Sequence, residues 1–242
     1  MNRRLVIIGL LLLPLVGCQS ALTPAPGLST IRIKVIAEPK VGVRVDNGVS
    51  LYDTSSSSNE RGPFERVDYS ALDEIVVWIE PADAGKLAPP RLSAATMDVN
   101  AQKPAASLSA TASVGQRLII HNNGSIARNF YSVSDGNDFD LGTIPPGGRA
   151  EYVVRSAGLI EVLAASSKDP VAEVYAAPTQ WVSLTRAGGT VDFTDLPPGR
   201  YKVVSWHPRL PGSESSVMLS PNQTANISIK VGVNALPKVG PR

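Results

Sequence analysis

The sequence predicts an all-β protein made of sandwich units. Three observations carry this. Apolar residues alternate with polar ones at period two in many short segments, the pattern of strands with one buried face. The 20 glycines and 20 prolines punctuate those segments at fairly regular spacing, as turn residues do in sandwiches. Helical spacing of apolar residues is nowhere sustained beyond two turns. The chain is long enough for one large or two small domains, and a chain of this size buries enough surface to need no disulfide staple.

In chain order, residues 31–36 alternate as Ile31-Arg32-Ile33-Lys34-Val35-Ile36, apolar on one face and charged on the other. Residues 41–45, 75–79, 117–121, 150–155, 159–164, 180–184, 200–206 and 216–219 read as further strands, and residues 225–231 repeat the clean alternation of the first. Two turns share one construction: Pro145-Pro146-Gly147 before the strand around Tyr152, and Pro197-Pro198-Gly199 before the strand at Tyr201. In each, the second proline sets the first corner of a type II turn and the glycine takes the positive φ that follows. Ser55 through Pro63 reads as a polar loop, and residues 233–242 as a free tail.

The single cysteine, Cys18, ends a stretch in which Arg3 and Arg4 precede an apolar run of about a dozen residues. That run is too short to cross a hydrocarbon core, which takes about 20. A charged start, a short apolar core and small residues before the cut are the parts of a signal peptide. Leu15-Val16-Gly17-Cys18 resembles the lipobox of bacterial lipoproteins, which implies lipidation of Cys18 as the first mature residue and loss of residues 1–17. Gln19, in place of the aspartate that favours inner-membrane retention, implies the outer membrane, with the protein facing periplasm or surface. The membrane is then a partner through the anchor, residues 18–29 are anchor and linker, and no thiol remains for a disulfide, metal or nucleophile. Without Arg3 and Arg4 the mature chain carries 21 basic and 21 acidic residues. It lacks the basic footprint of a nucleic-acid binder.

The run Val76-Val77-Trp78-Ile79-Glu80-Pro81-Ala82, with Ala95-Thr96-Met97-Asp98, Phe139-Asp140-Leu141-Gly142 and Asp195-Leu196-Pro197-Pro198-Gly199 before Ser205-Trp206-His207, resembles a bacterial periplasmic family. Its members are called plastocyanin-like or methylamine-utilization-type cupredoxin proteins. The resemblance spans about residues 75 to 220 and implies a cupredoxin-like Greek-key β-sandwich followed by a small C-terminal β-sandwich module similar to the regulatory domain of carboxypeptidases. On it, residues 30–175 form the first unit and 176–232 the second, with a break near Tyr175 to Pro178.

The family's copper ligands are missing. Where the family has a His-Asn-Val-Phe-Ser motif, this chain has Arg128-Asn129-Phe130-Tyr131-Ser132. A guanidinium has no lone pair for a metal. The family's later Cys-His-Met loop is matched by residues 164–170, Ala-Ala-Ser-Ser-Lys-Asp-Pro. A type 1 site needs two imidazoles and a thiolate, so no cofactor is expected. His121 and His207, the two histidines, read as hydrogen-bonded strand-edge residues and are the weak candidates for a rebuilt metal site, with Met97. Residues 135–140 are rich in oxygen ligands but lack the spacing of a calcium loop and read as an acidic turn. No hydrolase elbow, zincin or phosphate-loop motif occurs, so no enzyme is expected.

The loops around the lost copper site offer Asn122, Asn123, Arg128, Tyr131, Ser166, Ser167 and Lys168. Two readings stay open for Arg128: capture of an anionic group or an envelope protein partner, or a salt bridge to Asp135 or Asp169. The expected function is a non-catalytic binding or scaffold lipoprotein; the alternative is an accessory of periplasmic copper or redox handling.

Overall fold

The computed structural model describes residues 24–38, 68–82, 94–99, 108–165 and 167–232. Cys18 and the signal peptide, the expected strand at 41–45, the loop at 55–63, Ser166 and the tail lie outside the described residues. Among the described residues there is no helix. The strands are β1 (Ser29–Ala37), β2 (Ile75–Pro81), β3 (Ala95–Val99), β4 (Ala110–Ser113), β5 (Arg117–Asn122), β6 (Arg128–Ser134), β7 (Asn137–Ile144) and β8 (Arg149–Val153), then β9 (Gly158–Ala164), β10 (Ala172–Ala177), β11 (Val182–Thr185), β12 (Thr190–Leu196), β13 (Gly199–Trp206), β14 (Glu214–Leu219) and β15 (Thr224–Val231).

The first sandwich faces a sheet ordered β3-β5-β8 against one ordered β4-β10-β9-β6-β7. Two parallel pairs, β3 with β5 and β4 with β10, sit among otherwise antiparallel neighbours. This strand order is the cupredoxin-like Greek-key sandwich expected from the sequence. Alternate residues of both sheets meet in one core, with Met97, Leu118, Ile120, Phe130, Ile160 and Val174 all buried.

The second sandwich faces β12-β1-β15 against β11-β2-β13-β14. The expected division, with residues 30–175 in the first unit, is corrected here. β1 pairs antiparallel with β12 and parallel with β15, and β2 pairs with β11 and β13. Ile31, Ile33 and Val35 of β1 share a core with Phe193, Tyr201 and Ile229. The first sandwich is thus an insertion between β2 and β11, and the second is closed by both ends of the chain. The physical reason is that β1 presents one apolar face needing a partner sheet, and β12 and β15 flank it in register. The expected break also moves: Tyr175, Ala176 and Ala177 belong to β10, and the chain passes to the second sandwich after them.

β2 explains its unbroken apolar run. Ile75, Val77 and Ile79 point into the second core, while Val76 and Trp78 point the other way. That outer face meets Tyr175, Ala177 and Leu108 of the first sandwich, together with Val204 and the half-buried Trp206. The two units therefore share an apolar junction.

Of the two Pro-Pro-Gly turns, the first has the expected form. Gly147 has φ +70° and the Gly148 N–H donates to the Pro145 carbonyl at 2.8 Å, the closure of a type II turn. The second differs. Asp195 itself takes a positive φ of 56° and Gly199 a φ of 154°, because the chain here crosses from one sheet to the other. Tyr201 Oη donates back to the Pro197 carbonyl at 2.8 Å, as a tyrosine corner does in Greek-key sandwiches.

Candidate functional site

Among the described residues, three loops meet at one end of the first sandwich. Asn122, the last residue of β5, ties two of them together. Its side chain is fully buried; Nδ2 donates to the Ile126 carbonyl at 3.0 Å and the Ile144 carbonyl at 2.9 Å, and Oδ1 accepts from the Gly124 N–H at 3.0 Å. Its backbone pairs with Gly147 and Gly148. The third loop is brought in by the Ala165 N–H, which donates to the Asn129 carbonyl at 2.9 Å. Ser167 then closes a local turn, with Oγ donating to the Asp169 carbonyl at 2.6 Å.

Arg128 opens β6 opposite Ile144. It has the strand parity of the inward-facing Phe130 and Ser132, which puts it at the mouth of the core, half-buried. Among the described residues no hydrogen bond or ion pair holds its guanidinium. The salt bridge of the second reading is not formed: Asp135 lies past the opposite end of β6, and Asp169 makes no ion pair with it. Lys168, in the loop that the Ala165 N–H ties to Asn129, is exposed and equally without an ion pair among the described residues. Of the other expected contributors, Asn123 is exposed, with its N–H donating to the Val99 carbonyl. Asn122 is consumed in holding the loops. Tyr131 lies on the outer sheet face between Asp140 and Leu163, away from the mouth.

The two histidines have different environments. His121 lies on the outward face of β5, with Nδ1 2.9 Å from Asp98 Oδ1 and Nε2 3.0 Å from the Gly147 carbonyl oxygen. Both partners only accept, so this geometry favours the imidazolium, which can donate from both nitrogens. The hydrogen bond to Asp98, then that to Gly147, raise its pKa above the ordinary value, against desolvation and the Arg149 charge. His207 belongs to the second sandwich and is 3% exposed. Its Nδ1 accepts from the Arg209 N–H at 3.1 Å, and Nε2 is buried without a hydrogen-bond partner among the described residues. Burial, then Arg209, push its pKa down, with Asp73 acting the other way. Met97 is a core residue of the first sandwich. The structure does not bring these three candidate ligands together.

Sequence reasoning missed Arg149. It starts β8, directly across from His121, and lines with Thr96, Ile119, His121 and Gly147 a cavity of about 390 Å³. Only the cross-strand register puts it there. Of the acidic segment 135–140, only Asp135 and Gly136 form the hairpin turn; residues 137–140 open β7. Asn137 within it is buried, bonding Tyr152, Arg155 and Ser156, and Asp140 accepts from the Gly142 N–H at 2.8 Å. At the loop end, then, Arg128, Arg149 and Lys168 make no ion pair among the described residues, while His121 is paired with Asp98.

No protein-family model matches the chain, and no curated protein matches it. Among solved structures, the novel purple cupredoxin from Nitrosopumilus maritimus is 17% identical over 34% of this chain and 99% of that one, with a TM-score of 0.29. A reduced mutant of amicyanin is 14% identical over 42% of this chain and 98% of that one, with a TM-score of 0.27. A Cu(I) form of another amicyanin mutant is 15% identical over the same shares, with a TM-score of 0.28. At such values the architecture rests on the strand order and registers themselves.

Proposed function

We propose that this chain is a lipid-anchored outer-membrane protein of a bacterial envelope, a non-catalytic binding module. In this reading its cupredoxin-like scaffold, devoid of copper ligands, uses the vacated loop end to hold an anionic group on an envelope protein partner. The second sandwich, similar to a carboxypeptidase regulatory module, carries the first and joins it to the anchor at Cys18. The observation that supports it is the pair Arg128 and Lys168: two cations at the mouth of one loop cluster, neither neutralised from within the described residues. A guanidinium at the position of a metal ligand removes copper chemistry there and supplies five donors suited to carboxylates.

The test is binding of poly-glutamate to the mature chain by calorimetry. Arg128→Ala with Lys168→Ala weakens binding about tenfold, the equivalent of roughly 1.4 kcal/mol, and added salt weakens the unsubstituted protein in the same direction. Unchanged binding removes the reading. Titration with Cu(I) and Cu(II) separates it from the copper-handling alternative: tight one-to-one binding that is lost in His121→Ala or His207→Ala favours the latter.

A further inference from the structure

The direction of the strands places the loop end relative to the anchor. The described chain starts at a set of turns. The Ala25 N–H donates to Asp195 Oδ1 at 3.1 Å, the Gly27 N–H to Asn222 Oδ1 at 2.6 Å, and the Asn222 N–H to the Leu28 carbonyl at 3.0 Å. Asp195 and Asn222 are both non-glycine residues at positive φ, a conformation tolerated best by Asp and Asn. Both turn tips are thus shaped to receive the N-terminal segment, which fixes where the tether leaves the second sandwich.

From those turns, β13 runs away toward Trp206, and β2 returns antiparallel to it, with Pro81 beside Tyr201 at the turn end and Ile75 at the far end. β10 lies across the junction in the direction of β2. The Leu108 N–H donates to Glu74 Oε1 at 2.6 Å, Ser109 N–H to the Glu173 carbonyl, Tyr175 stacks near Trp78, and Thr179 Oγ1 donates to the Ile79 carbonyl. The start of β10 is therefore level with the far end of β2, and the loop holding Lys168 precedes it, next to Arg128. β2 alone has seven residues, about 20 Å at the usual rise, and the loop end lies beyond it. Cys18 and Pro24 are six positions apart, a reach of at most roughly 20 Å.

We infer that the Arg128–Lys168 end is the membrane-distal pole, and that its occupant is an acidic surface of another envelope protein standing off the bilayer, not the anionic headgroups of the anchor's own membrane. Fully extended, the tether reaches no farther than about the length of β2, and the loop end lies beyond β2. This rests on the lipidation of Cys18 and on the binding role proposed above.

The experiment uses the full lipidated protein in vesicles of phosphatidylethanolamine and phosphatidylglycerol with acceptor dye on the headgroups. With Cys18 acylated, a donor dye is placed on Asn123→Cys at the pole or on Thr224→Cys at the turn end, both exposed. Energy transfer is expected to be roughly twofold or more stronger from residue 224 than from 123, given the height that β2 alone supplies. Equal transfer, or stronger transfer from 123, overturns the orientation. In the same vesicles Arg128→Ala with Lys168→Ala leaves association unchanged while poly-glutamate binding falls; a loss of association would show headgroup binding and also overturn it. Absence of acyl groups on Cys18 by mass spectrometry overturns the anchor reading itself, a result distinct from either.

Discussion

The rings of Tyr175 and Trp206 lie 4.3 Å apart between centroids, tilted by 32°, across the junction of the two sandwiches. Trp78 adds a second contact to Tyr175 at 5.6 Å and 33°. Tyr175 is 7% exposed, so its area is withdrawn from water by residues of the other unit. Such aromatic pairs contribute beyond their area.

Tyr175→Ala should remove the centre of this junction. The expected cost is about 3 kcal/mol, the lower end for aromatic truncations in packed interiors. Calorimetry should resolve two transitions in the variant in place of one, because each sandwich keeps its own core. A single transition at the original temperature would show that the junction does not couple the units.

Glu173 faces Glu161 directly across the β9–β10 ladder. Burial first, then Glu161 and Glu74, raise its pKa. The folded state therefore holds this proton more tightly than the unfolded one, and stability falls as pH rises from about 4.5 through the raised value. Glu173→Gln should stabilise the protein at pH 7 by up to about 1 kcal/mol, the size of a cross-strand like-charge pair. The gain should vanish near pH 4. Thermal melts at both pH values check the sign.

His121 carries the opposite dependence. Its pKa is raised by Asp98 and Gly147, so its contribution is full below the ordinary value of 6.5 and is lost as pH rises through the folded value. An NMR titration of the imidazole should show a midpoint above 6.5, and Asp98→Asn should return it toward 6.5. A wild-type midpoint at or below 6.5 would mean that the two hydrogen bonds do not persist in solution.

Asn137→Ala should be costly although the residue opens β7 directly after a polar turn. Its side chain joins Tyr152 Oη, the Arg155 and Ser156 N–H groups and the Ser156 carbonyl. Stranding such buried groups costs about 1–3 kcal/mol. Neighbouring Gly136 is held to glycine twice over: its φ is +66°, and an added Cβ would lie 2.7 Å from that of Ser156. Chemical denaturation of Asn137→Ala and of Gly136→Ala tests this; losses below a few tenths of a kcal/mol would contradict it.

By itself the sequence determined the fold class and most strands with one solvent face. β1, β2, β5, β8, β9, β11, β13, β14 and β15 all fall on segments whose alternation or apolar run marks them. β6 and β7 escaped because their solvent faces and shared turn are dense in Asn, Asp, Ser and Gly, and β10 because a strand buried on both faces shows no alternation. The sequence also determined that an arginine stands where the resemblance puts a copper-binding histidine. Only the tertiary structure decided which strands share a sheet. Alternation tells which face is buried, not against what, and the pairing of β1 with β15 joins opposite ends of the chain. The same holds for the site. Register alone put Arg149 beside His121, and packing turned Asn122 from a candidate donor into a buried brace while leaving Arg128 without a counterion among the described residues.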